Sequence, residues 1–150
     1  MAAVRVTAEN TASHPLVAAT AKTIAQVNAP ANQALLVRRI GVFFDGASPT
    51  AVPVTVLLVY KTTAGTGTAL VLGKLNPADT ETIQTTGTEN HTIEGTNGVV
   101  VDQWLIHPQQ GIDITYAMGQ EKLVRGGGRL ALVLTAPAAV NVRGKIDFDE

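Results

Sequence analysis

The sequence contains no cysteine, which excludes a disulfide framework, a cysteine-based metal site and a thiol nucleophile. Charge is scarce too: 15% of the 150 residues are charged, and 11 basic against 12 acidic residues leave a net charge of -1. No field of one sign exists to attract a polyanion or an anionic membrane, so nucleic acid is not an expected partner. Aromatic residues make up 4%, with Trp104 the single tryptophan, and that leaves little material for a carbohydrate-stacking platform. The longest apolar run, residues 130–140, is about half of the ~20 residues a membrane helix needs, so no membrane span is expected. Arg5, Glu9, Asn10 and His14 interrupt the N-terminal apolar residues. That segment does not read as a secretory signal, and synthesis in a cytoplasm is the expectation.

Catalytic and metal-binding patterns are missing as well. The histidines are His14, His91 and His107, with no H-x-H pair to place two imidazoles on one strand face, so no metal or other cofactor is expected. Ser13 and Ser48 are the only serines, and Ser48 lacks the second glycine of a G-x-S-x-G elbow and reads as a turn residue. Asp147, Asp149 and Glu150 lie close in sequence but read as a solvated charged face with no cleft implied. "GTGT" and "RGGGR" match neither the P-loop nor the dinucleotide fingerprint and read as hairpin turns. The chain is therefore not expected to be an enzyme.

What remains is a strand-forming composition. Hydrophobic residues make up 45% and mean hydropathy is +0.19, values too apolar for a disordered chain. Thr, Val, Ala and Gly dominate, and short apolar runs are bounded by Gly, Pro and Asn. Strands are predicted at 4–7, 16–27, 34–44, 53–61, 68–75, 91–95, 99–107, 112–117, 121–125, 129–135 and 141–149. Turn signals fall between them, including 45–53, 62–68, 94–98, 107–111 and 125–128, and their spacing suggests a sandwich or barrel. Residues 17–27 carry a weaker helical alternative, disfavoured by their threonines. The closing strand has Val142, Gly144, Ile146 and Phe148 on one side and Arg143, Lys145, Asp147 and Asp149 on the other, the period of a half-buried strand.

Two strands look apolar on both faces. Val54, Val56, Leu58 and Tyr60 alternate with Thr55, Leu57 and Val59, and Leu130, Leu132 and Leu134 alternate with Ala131, Val133 and Thr135. Either a loop or the N-terminal segment covers the second face, or that face lies in a subunit interface. The first fifteen residues are small and polar apart from Val4 and Val6, so they read as an N-terminal arm, disordered alone or ordered on a neighbour. Residues 16–150 form the folded domain. The candidate interface residues are Val4, Val6, His14, Leu57, Val59 and Val133.

Strand order adds a resemblance. Residues 35–85, then "QWLIHPQQG" (103–111), then "GGGRLALVLTAPAAVNVRGKIDFDE" (126–150) resemble small jelly-roll structural proteins of tailed bacteriophages. The shared features are a strand ending in an apolar pair, a T-x-x-G-T-x-T turn, a P-x-x-G, a glycine-led R-L-A-L strand and an acidic C-terminus. The resemblance covers most of residues 34–150. It implies an all-β antiparallel β-sandwich of jelly-roll type, acting as a capsid cement or decoration protein on the outer head surface. It further implies a homotrimer whose partner is the major capsid protein. It supplies no residue-level binding motif. The alternative it leaves is a carbohydrate- or receptor-binding module of a phage tail or baseplate, with Trp104, Tyr60 or Tyr116 in an exposed groove.

Overall fold

The computed structural model describes residues 3–45 and 52–150, so the turn expected around Ser48 lies outside the described residues. Thirteen strands form within them: β1 (Arg5–Glu9), β2 (His14–Leu16), β3 (Ala21–Asn28), β4 (Leu35–Phe44), β5 (Val54–Lys61), β6 (Thr66–Ala69), β7 (Leu72–Lys74), β8 (Thr86–Ile93), β9 (Asn97–Ile106), β10 (Gly111–Thr115), β11 (Lys122–Val124), β12 (Arg129–Thr135) and β13 (Val140–Asp149). No helix occurs among the described residues. The helical alternative for 17–27 loses because β3 pairs on both sides, with β12 and with β8, and tertiary ladders outweigh the weak helix preference of its alanines.

Two antiparallel sheets pack face to face as a β-sandwich. One runs β10-β4-β13-β1-β7, with β11 also on β4 and β2 on β13; the other runs β6-β8-β3-β12-β5-β9. Consecutive strands change sheet repeatedly: β3 and β5 lie in the second sheet with β4 between them in the first, and β12 and β13 divide likewise. Between the sheets, Leu130, Leu132, Leu134, Val56 and Leu58 face Val37, Ile40, Val42, Val142, Ile146 and Phe148 in one core cluster. Each such large side chain contributes roughly 1.5–3 kcal/mol by leaving water. The inward set of β13 is the one its alternation predicts. Asp147 and Asp149 on the other side are 7% and 8% exposed, because cations lie over them: Lys145 Nζ is 3.4 Å from Asp147, and Arg38 binds Asp149.

Three expectations are corrected. The segment read as an arm is an integral part of the sandwich, since β1 lies between β13 and β7 with Val6 and Ala8 fully buried. Val4 and Glu150 exchange backbone hydrogen bonds of 3.0 and 2.9 Å, tying the first strand to the last. The cause is legible afterwards: Val4, Val6 and Ala8 alternate with Arg5, Thr7 and Glu9, a short strand pattern diluted by small residues. The single strand expected over 16–27 is two strands in different sheets, joined at Ala19 with φ of 58°. An alanine there accepts a left-handed conformation normally signalled by glycine or asparagine. The strand expected over 68–75 likewise divides into β6 and β7, which lie in different sheets around buried Leu70.

Candidate binding cleft and buried polar clusters

Two carboxylates are drawn into polar clusters that link distant strands. Glu89 on β8 receives the Asn10 side-chain amide at 2.7 Å and the Thr11 hydroxyl at 3.0 Å, and lies 2.9 Å from His14 Nε2. Asn10 also donates to the Ile24 carbonyl at 2.8 Å and accepts from the Gly144 amide at 2.5 Å. Burial pushes the Glu89 carboxyl up, but the hydrogen bonds from His14, Asn10 and Thr11 overcome it and hold the group below its ordinary value. Gly144 leaves room at this crossing: a Cβ there would lie 2.7 Å from Ile24 Cδ1 of the opposite sheet, so the isoleucine would have to shift.

Glu94, in the turn after β8, does the second linking. It accepts from the Thr23 amide at 2.7 Å and from the Thr23 hydroxyl, and lies 3.2 Å from Lys61 Nζ, which also donates to Gly95 O at 3.1 Å. Thr23 belongs to β3 and Lys61 to β5, with β12 between them. Both carboxylate oxygens are held at Thr23 on β3, so the buried stem of Lys61 has to span β12 to reach them. That crossing explains why Val59, Ala131 and Val133 form a second, smaller buried cluster on the side away from the main core. Burial raises the Glu94 carboxyl and the bonds from Thr23 and Lys61 lower it further, so it too lies below the ordinary value.

His91 belongs to this second region. Its ring lies against the glycines of the "TAGTGT" turn, where a Cβ at Gly67 would fall 2.6 Å from His91 Cδ2. The turn is thus a bed for an imidazole, with the Thr88 hydroxyl 2.8 Å from Nε2. Burial lowers the His91 pKa, only partly offset by Glu94.

One open cleft of about 820 Å³ lies between β9 and β11 at an end of the sandwich. Gly98 and Val99 form one wall, Leu123 and Val124 the other, and the turn Arg125–Arg129 closes it. The Tyr60 hydroxyl donates to Leu123 O at 2.7 Å, bridging β5 to β11. No carboxylate among the described residues lines the cleft. Among the described residues, neither Arg125 nor Arg129 pairs with an acid. Beside it, the Tyr116 hydroxyl donates to Asp102 at 2.8 Å, Lys122 Nζ lies 3.1 Å from the same carboxylate and 4.7 Å from the Tyr116 ring centre. Burial, then the bond to Asp102, pushes the Tyr116 hydroxyl far above the ordinary tyrosine value.

The six residues expected at an interface are not brought together. Val4, Val6, Val59 and Val133 are at most 5% exposed within the single chain. His14 is spent on Glu89, and Leu57 alone keeps partial exposure. Of the readings open for the second face of β5 and β12, the structure favours cover by the chain's own residues, Lys61 meeting the Glu94 turn; what the sequence did not reveal is which residues do so, since Glu94 lies 71 positions from the Thr23 it binds. The exposed apolar residues on that side are one strand further out, on β9. Val100 and Leu105 are 45% and 66% exposed, opposite Val59 and Thr55. Trp104 packs against the main core, and His107 opens a turn closed by Gln110 N to His107 O at 2.9 Å. No group of three potential metal-ligating side chains occurs among the described residues.

The fold class is thus an all-β antiparallel sandwich with a basic cleft at one end. Comparison with protein-family models, curated proteins and solved structures finds no match to this chain.

Proposed function

We propose that the chain is a bacteriophage virion structural protein, a capsid cement or decoration protein of jelly-roll type that stabilises the shell from its outer surface. In this reading it is made in the host cytoplasm, assembles as a homotrimer and contacts the major capsid protein. The observation that carries it is the outward side of the β5–β9 edge, where Leu105, Val100 and Leu57 offer apolar surface beside an edge strand. Such surface is characteristic of a subunit contact. The repeated change of sheet along the chain supports a jelly-roll type of connectivity. A rigid sandwich cross-linked by buried polar clusters suits a protein whose contacts are multiplied by symmetry.

Light scattering coupled to size exclusion across a dilution series tests the assembly. A stable trimer that Leu105→Glu dissociates is expected, with the variant's folding midpoint unchanged, and a persistent monomer overturns it. Cryo-electron microscopy of virions from the encoding phage tests the location: density for the sandwich on the head exterior is expected, and its absence from the head ends the cement reading.

The alternative, a carbohydrate- or receptor-binding module of a tail or baseplate, draws on Tyr60, which lines the cleft. Of its other two aromatics, Trp104 packs on the core and Tyr116 gives its hydroxyl to Asp102. Glycan-array binding would favour that module.

A further inference from the structure

We propose that the cleft between β9 and β11 binds an extended acidic peptide segment of a partner protein. Under the cement reading the segment belongs to the shell protein, and only that attribution rests on the reading.

The charge argument comes first. Arg125 and Arg129 stand at one end of the cleft with no carboxylate partner among the described residues, and the third cation there, Lys61, is already paired with Glu94. A planar guanidinium matches a carboxylate bidentately, so two free ones in a cleft without acids select for acidic groups. Gly126, Gly127 and Gly128 between them carry no side chains to hold a ligand away from the backbone.

The walls argue for a peptide. Among the described residues β9 pairs only with β5 and β11 only with β4, so each wall comes from a strand with one unpaired edge. Unpaired edges offer the backbone donors and acceptors used in recognition by strand addition, with alternate side chains read by neighbouring pockets. Val99 and Leu123, 70% and 60% exposed, supply apolar contacts on opposite walls. A segment alternating apolar and acidic residues meets both kinds of surface. A sugar fits less well: the lining has no Asn, Gln, Asp, Glu or Trp, and the Tyr60 hydroxyl is committed to Leu123.

The test is fluorescence anisotropy on the full chain. The probes, each labelled and titrated separately, are an octapeptide of alternating valine and glutamate, its valine-lysine counterpart and a heparin tetrasaccharide. The glutamate peptide is expected to bind at least about tenfold more tightly than the lysine peptide, and to weaken by at least about tenfold in Arg125→Gln/Arg129→Gln. Its affinity should fall as salt rises from about 50 to about 300 mM. A matching melting temperature for the double variant establishes that its fold is intact. No binding by the glutamate peptide, equal binding of the two peptides, or unchanged affinity in the double variant overturns the proposal. Tetrasaccharide binding without peptide binding overturns it in favour of an anionic glycan. Because these readouts use the isolated chain, a monomeric mass or absence from virions sinks the cement reading without touching them.

Discussion

Glu94 and Lys61 form an ion pair of 3.2 Å in which the lysine side chain is fully buried and the carboxylate is 34% exposed. The asymmetry matters for what each contributes. Removing the acid strands a buried ammonium, whereas removing the lysine leaves a carboxylate that still has Thr23 and water. Glu94→Gln should therefore cost about 2–4 kcal/mol, somewhat below a fully enclosed pair. Lys61→Met should cost less than about 1.5 kcal/mol, because an apolar stem of similar length refills the site. Urea unfolding of the two variants checks the order; equal losses would contradict the argument from unequal burial.

Asn10 makes three buried hydrogen bonds, to Ile24 O, Glu89 and Gly144 N. Asn10→Ala leaves a backbone amide and a carbonyl without partners between the sheets, a loss of about 2–4 kcal/mol. Asn10→Asp keeps an acceptor for Gly144 but sets a second carboxylate against Glu89, so it should also destabilise, and more at neutral than at acid pH. Thermal melts at two pH values decide this.

The first and last strands are one structural unit. Deleting residues 1–14 removes β1 from between β13 and β7, so the truncated chain should lose cooperative unfolding. Phe148, 1% exposed at the far end of β13, should cost about 3–5 kcal/mol as Phe148→Ala. A truncated chain with an unchanged melting temperature would contradict the placement of β1.

Acid should act on the fold in two stages. The folded His91 pKa lies below the ordinary 6.5, so as pH falls through that value the unfolded chain takes up a proton that the folded chain refuses. Stability therefore declines below about pH 6.5 and stops declining on this account once the folded pKa is passed. Glu89 and Glu94 are depressed below the ordinary 4.5. Their contribution is fully present above that value and is lost as pH falls through the lower folded values. Melting temperatures from about pH 8 to about pH 3 should show both declines, and His91→Gln should remove the first alone.

Legibility differed sharply between strands and clusters. β13 was readable because its apolar residues repeat every second position, and β12 because it is a short apolar run bounded by Gly128 and Pro137. β1 is legible as a strand over 4–7 but reads as part of an arm, because its buried residues include Ala8 and its outward ones are mixed. The break between β2 and β3 was hidden by Ala19 occupying a conformation its type rarely adopts. Of the cleft, the triglycine turn and its arginines were visible as a motif. Their approach to Tyr60 and Val99 was not, because those residues lie far away in sequence, on β5 and β9.

Alternation of side chains is a property of extended backbone geometry, so the amino-acid order alone dictates an all-strand chain and the inward face of its last strand. Which sheet each strand joins depends on partners far along the chain, as with Asn10 and Gly144, 134 residues apart. The same holds for the second face of β12. Its composition suits a core and an interface equally, and only the reach of Lys61 on β5 to Glu94, held at Thr23 on β3, makes it interior.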